Sequence, residues 1–167
     1  MNSKLEVYRF DELEFKDWDD FVDRSYNGTM FHTRRFLNYH PPDRFQDHSL
    51  YFQKKEKQYA VFPAASVNEK NGDILHSHPG TTIGSLVTNT SLSLKESFDL
   101  VTALVKYAQD ENFSGIKITI PPNCYSESMS NHVEFALFKM GFTYVKREVS
   151  SILLLPDTAE EIAKGFK

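Results

Sequence analysis

In Asp73-Ile-Leu-His-Ser-His-Pro-Gly-Thr-Thr-Ile-Gly-Ser-Leu-Val87 an apolar run ends, a turn rich in small and hydroxyl residues follows, and a second short apolar run begins. Gly80 and Gly84 admit backbone conformations and close approaches that side chains forbid. His76, Ser77, His78, Thr81, Thr82 and Ser85 crowd hydrogen-bonding groups into the same turn. A wall of a binding site is expected here, with Ser77, His78, Thr81, Thr82 and Ser85 as its substrate contacts.

Upstream, Ser49 to Lys54 and Gln58 to Val67 flank the polar turn Lys55-Glu-Lys57 and predict a hairpin. Asn71-Gly72 is a tight-turn signal that joins the second of these strands to the one starting at Asp73. Three antiparallel strands in succession are expected, with Pro63 marking an edge or a bulge in the middle one. Downstream, Ser91 to Asn112 sets Leu94, Phe98, Val101, Leu104, Val105 and Ala108 on one helical stripe. Ser93 and Glu96 stand in the capping-box arrangement at its start. Gly115-Ile-Lys-Ile-Thr-Ile-Pro121 then alternates as a strand, so the helix is a crossover and part of the sheet is parallel.

Toward the N-terminus, Leu5 to Phe10 reads as a strand. Trp18, Phe21 and Val22 share one helical face, and Asn27-Gly28 breaks that helix. Phe31 to His40 predicts a second helix, with Thr33 as N-cap, Phe36 and Leu37 facing inward, and Pro41-Pro42 ending it. Toward the C-terminus, Asn131 to Met140 predicts a helix with an Asn-x-x-Glu start and Gly141 just past its end. Phe142 to Leu155 is apolar enough for one strand or two, and Pro156 stops it. Thr158-Ala-Glu-Glu161 opens a last helix in which Ile162 and Phe166 alone can face a core. Such a helix either docks weakly on its own domain or belongs to something longer. The expected organisation is one domain over 1–156, with 157–167 beginning a linking helix.

The chain has 167 residues, enough for one domain with a sizeable core. Fourteen Phe and eight Tyr against one Trp predict a core built largely of phenyl rings. A net charge of −4 lacks the basic excess of a broad nucleic-acid surface. The single cysteine, Cys124, forms no internal disulfide, which fits a reducing compartment. No run reaches the length of a membrane span and Met1 to Tyr8 has no apolar signal core, so a soluble cytoplasmic domain is expected.

Chemistry is sparse. His76 and His78 share a face if both lie on a strand, but no Cys or carboxylate spacing completes a metal site, and none is expected. Ser77, Thr81, Thr82 and Ser85 lack a His–Asp arrangement that would make a nucleophile. Cys124 has no basic neighbour to lower its pKa. Arg34-Arg35 with Lys54, Lys55 and Lys57 either gather into a basic surface for phosphate or carboxylate, or form an ordinary helix end and hairpin turn.

Several pieces carry a resemblance: the Trp18 helix, Thr29-Met-Phe-His-Thr-Arg-Arg-Phe-Leu37, Ala60-Val-Phe-Pro-Ala64, the Ser77-to-Leu86 turn, and Leu153-Leu-Leu-Pro-Asp157 before a helix. With the order of elements they resemble the GNAT acyltransferase fold, an α/β (α+β) three-layer domain with a mixed, mostly antiparallel sheet and helices on both faces. More narrowly, the chain is similar to the first half of Fem-type (FemAB-like) proteins, in which two GNAT-like domains sit in tandem. The resemblance implies acyl or aminoacyl transfer to an amine on a small molecule or peptide, with acyl-CoA or aminoacyl-tRNA as donor to the full-length protein. It implies a second GNAT-like domain, or self-association, as partner, and an acceptor cleft lined by both halves. Arg34 and Arg35 are the basic substrate-binding residues it suggests. Two other readings stay open: a single-domain acetyl-CoA-dependent N-acetyltransferase, and a non-catalytic interaction module.

The chain departs from an ordinary GNAT domain where that domain holds the coenzyme diphosphate, on a Gly-containing loop at the start of its long helix. Here that place reads Thr88-Asn-Thr-Ser-Leu-Ser-Leu-Lys-Glu96, without glycine, and Ser93 caps donors that a phosphate would use. No cofactor is expected in this domain, and the sequence names no catalytic residue.

Overall fold

The computed structural model describes residues 5–152 except 11–14, 42, 128 and 150. Leu153 to Asp157 and the helix expected from Thr158 lie outside them. The elements are β1 (Leu5–Arg9), α1 (Phe15–Asp23), a 3-10 turn (Met30–His32), α2 (Arg34–Leu37), β2 (Gln46–Asp47), β3 (Leu50–Lys54), β4 (Lys57–Phe62), β5 (Ala64–Glu69) and β6 (Gly72–Ser77). They continue with β7 (Val87–Thr88), α3 (Leu94–Asp110), β8 (Gly115–Lys117), a second 3-10 turn (Asn123–Tyr125) and α4 (His132–Lys139).

The strands form two four-stranded sheets, ordered β1-β3-β4-β7 and β2-β5-β6-β8. The strand expected over Gln58–Val67 is divided at Pro63, and its halves enter different sheets. Proline has no N–H for the ladder, which explains the interruption. The register nevertheless carries through: Leu50 faces Phe62 on one side of the break and Gln46 faces Ser66 on the other. The two sheets therefore share one long, bent hairpin. At its tip Lys55 and Glu56 both have positive φ, 54° and 60°, the type I′ geometry that suits strand twist. Near the tip Phe52 pairs with Ala60 while Gln53 pairs with Gln58, leaving Tyr59 as a bulge.

β6 and β8 run parallel, as a helical crossover requires. The strand expected to reach Pro121 stops at Lys117, because the chain then turns away and Thr119 bridges to Gly84.

Period-two alternation sends the strand side chains to two cores. Trp18, Phe21 and Val22 of α1 pack on Val61 and Val87. Leu100, Val101, Leu104 and Ala108 of α3 pack with Leu50, Phe52, Ala60 and Phe62. Helices thus cover both faces. The α3 stripe begins later than expected, since Leu94 is exposed. The helix expected over Phe31–His40 is a 3-10 turn followed by a single α turn that ends at Leu37, before the prolines. Thr33 divides them, its hydroxyl accepting from Phe36 N–H. Asn131 precedes α4 but makes no capping bond, and Gly141 follows it at φ +93°. No described residue beyond Phe142 belongs to a strand, and Val145 and Val149 stand in solvent.

Candidate functional site

β6 and β8 run side by side from Ile74 and Gly115 to His76 and Lys117, then part. Ser85, Leu86 and Thr88 line one side of the split, and Ile120, Pro121, Asn123 and Ser126 line the other. Leu92 and Ser97, from the start of α3, and His132 to Glu134 of α4 close a cavity of about 60 Å³. Just before the split Gly84 packs against β6: a Cβ there would lie 3.2 Å from the Ser77 carbonyl oxygen. That approach lets Gly84 N–H reach Thr119 O at 2.9 Å. A larger cavity of about 210 Å³ lies by α1 and the β3–β4 hairpin, but it contains none of the expected site residues.

The expected residues divide sharply. Ser77 is buried and its hydroxyl accepts from Thr119 N–H at 2.9 Å. His78 lies one residue beyond the end of β6, where its N–H still donates to Pro63 O at 3.2 Å; its ring stacks on His40 and meets Phe45 edge-on. Burial lowers the His78 pKa to about 4. Thr81 donates to the Ile83 carbonyl at 2.7 Å. Thr82 is exposed, and Ser85 is buried in the lining of the split.

Arg34 faces inward rather than out. Its guanidinium lies 3.8 Å from the Phe10 ring centre and 4.5 Å from that of Trp18, and it pairs with Asp47. Burial alone would raise the Asp47 carboxyl, but Arg34 and two bonds to Ser49 hold it below its usual range. Arg35 is exposed and pairs with Asp19 and Asp23. Lys54 sits 3.9 Å from Glu96. Of the cations considered for a basic surface, Arg34, Arg35 and Lys54 each lie beside a carboxylate. Among the described residues no group of three or more His, Cys, Asp or Glu is placed to hold a metal ion, and Cys124 is an exposed free thiol.

At the mouth of α3 the capping box is complete. Ser93 N–H donates to Glu96 Oε2 at 3.0 Å, and Glu96 N–H donates to Ser93 Oγ at 3.3 Å. The bonds from Ser93 hold the Glu96 carboxyl below its ordinary range, so a full negative charge stands where the helix dipole favours an anion. Burial, with Glu96 nearby, pushes the Tyr59 phenol to about 12. A diphosphate at this position would meet two N–H donors already bonded and a carboxylate.

The lining residues that sequence reasoning overlooked are Tyr26 and Asn27, which sit within the split, with Asn123, Ser126 and His132. Asn27-Gly28 was visible only as a helix breaker.

No family model matches the chain, and no curated protein does. Solved structures do. An aminoglycoside N-acetyltransferase in complex with CoA is 8% identical, with a TM-score of 0.54, over 92% of this chain and 97% of that one. A ribosomal-protein-alanine N-acetyltransferase from Brucella melitensis biovar Abortus 2308 is 9% identical, with a TM-score of 0.54, over 90% and 99%. A GNAT family acetyltransferase of Staphylococcus aureus subsp. aureus USA300_TCH1516 is 10% identical, with a TM-score of 0.51, over 92% and 100%. At identities this low the structural likeness shows the fold alone, and that fold is the one of the GNAT acetyltransferases. Among the described residues no helix is long and apolar enough to cross a membrane.

Proposed function

We propose that this chain is the first, GNAT-like half of a Fem-type acyl or aminoacyl transferase, and that it builds a wall of an amine-acceptor cleft rather than holding an acyl-coenzyme. The observation that carries the reading is the Glu96 carboxylate at the mouth of α3, bonded to the Ser93 N–H. Charge of that sign opposes a diphosphate at the place where a helix start would otherwise favour it. In this reading Thr82, exposed at the turn, and Ser85, in the lining of the split, are the members of the expected set left to meet an acceptor. Arg34, Ser77, His78 and Thr81 support them from within.

The alternative is a single-domain N-acetyltransferase. It draws support from the near-complete alignment with solved acetyltransferases, one of them carrying CoA. Titration calorimetry of the chain with acetyl-CoA separates the two. The proposed role predicts no heat of binding at millimolar coenzyme. Stoichiometric binding would discard it and establish the alternative.

A further inference from the structure

The two sides of the split are tied together by the chain itself. Strand alternation turns the peptide groups of Leu86 and Thr88 the same way, into the split. Asn27 meets both. Its Nδ2 donates to Leu86 O at 2.9 Å, and its Oδ1 accepts from Thr88 N–H at 2.9 Å. Tyr26 N–H donates to Thr88 O at 2.8 Å, and on the opposite side Glu127 N–H donates to Tyr26 O at 3.1 Å. Tyr26 and Asn27 therefore lie between the walls as a short strand would, with the carboxamide acting as a substitute peptide group.

This segment is held in place by its own turn. Ser25 Oγ donates to Val22 O at 2.6 Å and accepts from Gly28 N–H at 2.9 Å. A Cβ on Gly28 would lie 2.5 Å from Val22 O, so the turn closes only around glycine.

From these bonds we infer that Asn27 is a specificity-determining residue that keeps an extended, amide-bearing ligand off the outer edge of β7. Such ligands bind sheet edges through the backbone groups that Asn27 and Tyr26 already occupy. The simplest member of the class is pantetheine, an uncharged chain with two amides in line. The inference stands apart from the role proposed above, because pantetheine carries no phosphate and is indifferent to Glu96.

The test is an NMR titration of the whole chain with pantetheine, alongside amide hydrogen exchange, for the wild type, Asn27→Ala and Asn27→Asp. In Asn27→Ala the Thr88 amide is expected to exchange about tenfold faster, the loss of one modest hydrogen bond. Its resonance should then shift saturably with pantetheine. The wild type should show no such shift, and Asn27→Asp should retain Thr88 protection through the remaining acceptor. Equal Thr88 exchange in wild type and Asn27→Ala would overturn the inference, as would pantetheine shifting Leu86 and Thr88 in the wild type. The second measurement needs no variant to fold. Wild-type binding of acetyl-CoA with the Thr88 resonance unmoved would discard the role proposed above and support a closed β7 edge.

Discussion

Arg34 is a charged side chain in a position that a core residue would fill, with aromatic rings against its guanidinium and Asp47 as counter-ion. The same neighbourhood contains His78, whose ring meets His40 and Phe45. Below the 3-10 turn, His32 is fully buried, with Thr29 N–H donating to its Nδ1 at 3.1 Å. Burial lowers the pKa of His32 and of His78 to about 4. In the unfolded chain both titrate near 6.5. The unfolded state therefore binds protons more readily below that value, and folding stability falls as the pH drops from about 6.5 toward 4. Urea denaturation at a series of pH values should show this loss, on the order of 3 kcal/mol per histidine at its full extent. The Asp47 carboxyl, lowered by its partners, adds a further loss at more acid pH. His78→Phe should remove about one proton from the slope between pH 6.5 and 4. An unchanged slope would mean that His78 is not the group being charged.

At the scale of elements, the hairpin tip is type I′ backbone occupied by residues that do not favour it. Lys55 and Glu56 hold left-handed φ values, which cost a side chain roughly 1 kcal/mol each relative to residues that favour them. Lys55→Asn with Glu56→Gly should stabilise the fold by about 1 kcal/mol, read as a higher urea midpoint at constant m. A lower midpoint would show that the tip contributes bonds beyond its turn. The hairpin and α3 were legible in the sequence because their signals are local: a polar turn between apolar runs, and a capping box ahead of a helical stripe. The division at Pro63 was only half legible. A proline can announce a break in a ladder, but the strand that keeps the first half in its own sheet is β7, far along the chain. Arg34 read as a surface cation because its carboxylate, Asp47, is thirteen residues away on a strand. Asn27 read as a breaker for the same reason. Its partners Leu86 and Thr88 are 59 and 61 residues on, a separation that no local pattern spans.

Over the whole molecule, the bend in the shared hairpin determines whether the two sheets unfold together. Ser49 sits at that bend, fully buried, and its hydroxyl joins Ala64 from both directions. It accepts from Ala64 N–H at 3.1 Å and lies 3.3 Å from Ala64 O. His48 N–H adds a backbone bond to the same carbonyl at 2.9 Å. Ala64 is the first residue of β5, so these bonds fasten the second sheet to the first where Pro63 offers no donor. Ser49→Ala leaves the Ala64 N–H buried without its acceptor, which costs about 1–3 kcal/mol. Because the register runs unbroken through the bend, that cost should be felt in both sheets at once. Trp18, the sole tryptophan, packs on the β4–β7 side and reports there by fluorescence. Hydrogen exchange at Leu75 and His76 of β6 reports from the other sheet. In Ser49→Ala both should lose the same amount of stability. A loss confined to β6, with the Trp18 transition unmoved, would show that the sheets unfold separately and that the bend is a joint rather than a clasp.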